Sequence, residues 1–215
     1  MPRPKTTRSR LDRERILAAA IEFADAHGID KLNMRVLATQ VGSAVMSLYT
    51  YVKSKDDLLD GMVDAVASEI RRPDPRQPWR DAIAEIASSA FRAFYRHPWV
   101  NSLWAKSRSP AKLAHQEAIL RVLREAGFSV PLACRGYHAI TTHTIGFTMQ
   151  ALDFPRDATA VKATAESFLA EADAESIPYL VEHVRYHAQH AEKQGAFTFS
   201  LDLILDGLER LLEAR

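Results

Sequence analysis

The sequence predicts an all-α protein, with a small N-terminal helical module joined to a larger C-terminal helical body. Three observations predict it. Apolar residues recur at helical spacing along nearly the whole chain, with no convincing strand alternation, internal repeat or low-complexity tract. Three prolines fall within the six residues PDPRQP, at Pro73, Pro75 and Pro78, and mark a hinge. Hydrophobic residues make up 47% of the 215 positions and charged residues 26%, the balance of an ordinary domain with a real core.

The elements follow in order. Over Arg13–His27 the apolar residues Ile16, Leu17, Ala20, Phe23 and Ala24 form one amphipathic stripe, and Gly28 ends it. Asn33 caps a second helix, Met34–Val41, which Gly42 ends. A short third helix is expected from about Val45 to Tyr51. Ser54, with Asp57 three residues on, is a capping-box pattern that opens a helix running to about Arg71. Past the prolines, helical patterns are expected at about 79–96, 99–107, 110–126, 131–152, 159–172, 177–193 and 199–213. The breaks between them are HPW, RSP, AGFS, DFPRD and KQGAF. The domain boundaries read from this are a basic flexible arm at 1–10, a first domain at 11–56, a connecting helix at 57–72 and a C-terminal domain at 73–215.

Residues 34–52 have the requirements of a helix-turn-helix. Ala38 is small where a second helix would cross, Gly42 allows a tight turn, and Val45, Leu48 and Val52 point inward at i, i+3 and i+7. The other face of the second helix carries Met46, Ser47, Tyr49 and Thr50, where base- and phosphate-contacting groups belong. Ser43 departs from the pattern, since an apolar residue is commoner after the glycine. The net charge is +1, so bulk charge points to no partner. Residues 1–10, however, hold Arg3, Lys5, Arg8 and Arg10 and no acid, a basic arm that suits phosphates. No apolar run approaches the roughly 20 residues of a membrane span, and no apolar stretch follows the basic start to make a signal peptide. The single cysteine, Cys134, excludes an internal disulfide and a multi-cysteine metal site, and fits a reducing cytoplasm.

The stretch NMRVLATQVGSAVMSLYTYVKSKDDLL, with its run Leu48-Tyr49-x-Tyr51-Val52-x-x-Lys55, resembles the DNA-binding module of the tetracycline-repressor (TetR) family of bacterial regulators. That resemblance covers about residues 12–60. REAGFSVPLACRGYHAITTHTIGFTMQA resembles the dimer-core helix of the tetracycline-repressor subgroup, and FTFSLDLILDGLERLL its final helix. The resemblance implies an N-terminal three-helix helix-turn-helix DNA-binding domain and a C-terminal ligand-binding and dimerisation domain. It implies that Arg35 contacts a base or the backbone beside the major groove. Val45, Met46 and Ser47 would face base edges, with Thr50 on the same surface. Tyr49 and Tyr51 would hydrogen-bond phosphates, and Lys55 would pair with one. The implied partners are a double-stranded DNA operator, a small-molecule inducer and a second copy of the chain. The homodimer would form through helices at about 131–152 and 199–213, the latter with Leu201, Ile204, Leu205, Leu208, Leu211 and Leu212 in an apolar seam.

An inducer of moderately hydrophobic, aromatic character is expected among Phe91, Phe94, Trp99, Trp104, His138, Thr142, His143, Phe147 and Gln150. The family's namesake holds a drug–Mg²⁺ chelate with a histidine and a carboxylate. The corresponding stretches here are NSLWAKSR, with no histidine, and GFTMQAL, where Gln150 replaces the carboxylate, so no metal or other cofactor is expected. Two other readings remain open. A metal-responsive regulator would use His183, His187 and His190, with Glu182 beside them, as a face over 183–190. A small helical enzyme would use Cys134 with His138. HExxH, GxSxG and Gly-rich phosphate loops do not occur, and the expectation is that the protein is not an enzyme, with no catalytic residues.

Overall fold

The computed structural model describes residues 11–154, 158–189 and 193–214. Among them are eleven α-helices and no strand. By packing, the chain forms two units. The first comprises the chain up to Arg71 together with Arg96–Glu117, and the second comprises Arg72–Tyr95 with Ala118–Arg215. The basic arm at 1–10 lies outside the described residues.

The first unit starts with α1 (Arg13–His27), capped by the Asp12 carboxylate, which accepts from the Arg15 N–H at 2.8 Å. Helix α2 (Met34–Val41) is capped as expected, Asn33 accepting from the N–H groups of Arg35 and Val36. Gly42 is left-handed at φ 67°, where a Cβ would be strained, and its geometry lets the Ser43 N–H reach the Ala38 carbonyl at 2.9 Å. Helix α3 is shorter than the periodicity suggests, spanning Val45–Leu48. The chain then tightens: Tyr51 N–H bonds back three residues to Leu48, and Val52 N–H bonds to the same carbonyl. Leu48 and Val52 are both completely buried, and Tyr49–Tyr51 between them form a turn instead of regular helix. Helix α4 (Lys55–Ser68) ends before Arg71. Ile16, Leu37, Leu48, Leu58, Met62 and Val63 make the core of these four helices, each at 1% exposure or less. Helix α6 (Val100–Trp104) packs on α4, and α7 (Pro110–Glu125) begins in this unit.

The second unit contains α5 (Trp79–Arg96) up to Tyr95, the end of α7, α8 (Val130–Asp153), α9 (Ala158–Glu171), α10 (Pro178–Gln189) and α11 (Lys193–Glu213). Helix α8 packs on α11 and α9 on α10. Arg80 on α5 meets three acids of α11, with Asp206 at 2.6 Å, Asp202 at 3.3 Å and Glu209 at 3.4 Å. The segment KQGAF, read as a break, is helical and forms the first turn and more of α11. Phe197 explains this: it is buried, stacked on Phe91 at 4.5 Å, and packing that ring outweighs the roughly 1 kcal/mol helix penalty of Gly195.

Candidate nucleic-acid interface

The turn between α2 and α3 separates two surfaces. Leu48 and Val52 are buried on one side, while Met46 is 76% and Tyr49 43% exposed on the other. Ser47, Thr50, Lys53 and Lys55 are exposed as well, and Val45 and Tyr51 are half-buried. Arg35, at the second position of α2, is exposed, its backbone N–H taken by Asn33 at 3.1 Å and its side chain turned to solvent. All eight DNA-contact residues expected from the sequence therefore lie on α2, α3, the turn after it and the start of α4.

What holds that turn is a residue pair missed in the sequence. Arg13 of α1 grips both oxygens of Asp57 of α4, at 2.9 and 3.0 Å, across 44 positions. The same guanidinium donates to the Tyr51 carbonyl at 2.9 Å. Asp57 Oδ2 also accepts from the Lys53 N–H at 2.7 Å, and the Ser54 hydroxyl accepts from the Asp57 N–H. The capping box is thus shifted by one residue, with Asp57 reaching the N–H before the cap. Arg13 and the Lys53 N–H hold the Asp57 carboxyl below the usual carboxylate range, and Asp57 raises Arg13. Gly61, one turn along α4, leaves room for this pair: a Cβ there would stand 2.8 Å from Leu17 and 3.0 Å from the Arg13 guanidinium. The sequence signals Asp57 only as a capping residue and signals Arg13 not at all.

Segment 96–117 is tied to α1 and α4 of the same unit. Asp25 of α1 accepts from the Trp99 indole N–H at 2.7 Å and bonds His97 Nδ1 at 2.9 Å. The Nε2 of buried His97 lies 3.3 Å from Glu69 without hydrogen-bond geometry, and Arg96 pairs with Glu69 at 2.6 Å. Asp64 of α4 accepts from the Ala111 N–H at 2.7 Å, at the start of α7. Trp99 thus serves a structural clasp, and Trp104 packs edge-on to His115 at 5.7 Å. His115, partly exposed yet crowded on most sides, is pushed down to about 4 by desolvation. Its cation is disfavoured in the folded state, so the stability it preserves is complete above pH 6.5 and declines as pH falls toward 4. The loss at the bottom of that window is on the order of 3 kcal/mol. Urea midpoints from pH 7 to 4 should fall more steeply for the wild type than for His115→Gln; equal slopes would contradict this.

In the second unit, Phe91, His143, Phe147 and Phe197 form one aromatic cluster, with ring centroids 4.5–5.6 Å apart. His143 Nε2 lies 3.2 Å from the Phe197 carbonyl, which can only accept, so Nε2 carries the proton. Burial lowers the His143 pKa, with the carbonyl opposing, which leaves Nδ1 an acceptor. Phe94 is buried on α5. His138, Thr142 and Gln150 lie on the exposed side of α8, apart from this cluster.

Two family patterns cover most of the chain. The one described as "Bacterial regulatory proteins, tetR family" matches residues 16–62, and "Tetracyclin repressor-like, C-terminal domain" matches residues 72–212. The chain belongs to the TetR family of transcriptional regulators. It is 29% identical to the HTH-type transcriptional repressor DrrR1 of Streptomyces coeruleorubidus, over 99% of this chain and 81% of that one. It is 26% identical to the class D tetracycline repressor protein of Escherichia coli, over 96% of this chain and 93% of that one. Among solved structures, apo ActR of Streptomyces coelicolor superposes with a TM-score of 0.76 at 26% identity, covering 95% of this chain and 98% of ActR. ActR has also been solved with actinorhodin, at a TM-score of 0.74 and 26% identity over 95% of this chain and 99% of that one.

Gln150 stands where the resemblance puts the carboxylate of a Mg²⁺ chelate. Gln150 offers a neutral amide, a poor replacement for a carboxylate on Mg²⁺, and it is exposed. For the metal-responsive alternative, the rings of His183 and His187 are 4.4 Å apart, while His190 lies outside the described residues. Among the described residues no group of three His, Cys, Asp or Glu side chains is placed to hold a metal. Cys134 and His138, the pair of the enzyme alternative, are both on the exposed side of α8, and the His138 ring rests against Tyr137 at 5.3 Å. No described helix is long and apolar enough to cross a membrane.

Proposed function

We propose that this TetR-family chain is a homodimeric repressor in the bacterial cytoplasm, held on a palindromic operator and released by a small hydrophobic molecule. One observation carries the reading: the exposed surface around the α2–α3 turn is the surface whose residue types suit DNA. Arg35 reads a base edge or the adjoining backbone. Val45, Met46 and Ser47 face the bases, where Met46 and Val45 offer only apolar contact to thymine methyls. The Tyr49 and Tyr51 hydroxyls, Thr50 and Lys55 take phosphates, with Lys55 at the N-terminus of α4 adding to a favourable end for anions.

Helices α8 and α11 are the proposed dimer elements. Phe199, Leu203 and Leu211 on α11 are 66%, 56% and 56% exposed, at four-residue multiples along one stripe. Gly207 lies within that stripe and Gly146 on the exposed side of α8, and a Cβ at either would meet nothing within 4 Å. Among the described residues nothing requires glycine at either position, whereas a closely approaching second copy would. The inducer acts as a population shift, binding the DNA-incompetent state better. Because segment 96–117 is clasped to α1 through Asp25 and to α4 through Glu69 and Asp64, a ligand that displaces it acts directly on the helices that carry the DNA contacts.

The test is a salt titration of binding to the DNA upstream of the chain's own gene against scrambled DNA. Specific binding should exceed the scramble by about 10³ or more. Tyr49→Phe and Lys55→Ala should weaken binding to all sequences alike, and Lys55→Ala should reduce the salt slope by about one. Arg35→Ala should cost about 1–3 kcal/mol and relax one base position. Wild-type affinity in all three variants would refute the assignment.

A further inference from the structure

Between α1 and α2 lies a groove of about 440 Å³ that opens to solvent. That volume is within the range of about 300–1,000 Å³ that holds a small molecule. Helix α1 lines it with Phe23, Ala26 and His27, which share one face at three- and four-residue spacing, and α2 lines it with Val36. The Phe23 and His27 rings are 4.7 Å apart and tilted by 54°, so two aromatic surfaces meet in the groove. The polar groups that line it are chiefly acceptors. Glu22 makes no ion pair or hydrogen bond among the described residues, and no Lys or Arg stands three or four positions from it along α1. Thr39 gives its hydroxyl hydrogen to the Arg35 carbonyl at 3.0 Å, which leaves its oxygen only to accept. No Lys or Arg lines the groove. The operator has no use for the Glu22 carboxylate, because phosphates repel it.

We propose that this groove is a small-molecule site of the DNA-binding module itself, taking an aromatic monocation of the amidine or guanidine class. The ring lies against Phe23, His27 and Val36, and the N–H groups go to the Glu22 carboxylate and the Thr39 oxygen. A carboxylate or phosphate ligand would face Glu22 with no cation to receive it. The groove is already open, so the ligand enters without first parting α1 from α2. It belongs wholly to the first unit and shares no residue with the aromatic cluster of the second. One wall is α2, which also carries Arg35, so the ligand holds in place a helix that the operator contacts depend on.

The test uses the full chain without DNA at low salt, with 2-naphthamidine and its neutral isostere 2-naphthamide as probes, read by calorimetry. The amidine should bind the wild type once per chain and at least about fivefold more tightly than the amide. Glu22→Gln, a change at an exposed position, should remove that preference. Ala26→Trp, also at an exposed position, fills the groove and should abolish binding of both probes. The proposal is overturned if the amidine has no advantage on the wild type, if neither probe binds, if Glu22→Gln keeps the preference, or if folded Ala26→Trp binds as the wild type does. Melting temperatures report whether each variant is folded, and the comparison of wild type with Glu22→Gln stands even if Ala26→Trp is not. A wild type that prefers no operator over scrambled DNA overturns the repressor reading and leaves the amidine result intact.

Discussion

Leu203→Arg should yield a folded monomer with little operator affinity. Leu203 lies on the exposed stripe of α11 between Phe199 and Leu211, so its own chain loses little packing. In a two-fold interface the change is made twice, and each guanidinium would be buried against an apolar surface without a partner. Two half-sites held by one dimer gain an effective concentration that separate monomers lack, so operator affinity should fall by roughly 10²–10⁴. Sedimentation with a DNA titration decides this. A Leu203→Arg protein that stays dimeric would place the interface elsewhere. Leu205→Arg serves as a contrast, because Leu205 is fully buried within the chain and its replacement should unfold the second unit.

Asp57→Ala should damage stability and DNA binding together. It removes both bonds to Arg13 and the acceptor of the Lys53 N–H, and leaves a part-buried guanidinium with only backbone acceptors. The pair is partly solvated, which sets the expected loss near the low end for charge-assisted bonds, about 2 kcal/mol. Operator affinity should fall further than stability alone explains, because Arg13 also anchors the Tyr51 carbonyl. Asp57→Asn, which keeps an acceptor, should be milder. The Asp57 carboxyl is held below its ordinary range, so its contribution is present at neutral pH and is lost as pH falls below about 4. The wild type and Asp57→Ala should therefore converge in acid. Urea midpoints at pH 7 and pH 3 check this; a constant gap between the two proteins would contradict it.

The sequence by itself determined what neighbouring residues settle among themselves. Asn33 before Met34, Gly42 after Val41 and Ser54 before Lys55 close hydrogen-bonded rings within a few positions, so the ends of α2 and the start of α4 were legible. So was the surface of Met46, Ser47, Tyr49 and Thr50, because helical period separates it from Leu48. Tertiary structure decided whatever depends on a distant partner. Helix α3 stops at Leu48, and the turn after it has its Tyr51 carbonyl taken by Arg13 of α1, while the Phe91 ring made KQGAF a helix. The Arg13–Asp57 grip spans 44 positions and the Trp99–Asp25 bond 74, distances at which no local pattern announces a contact.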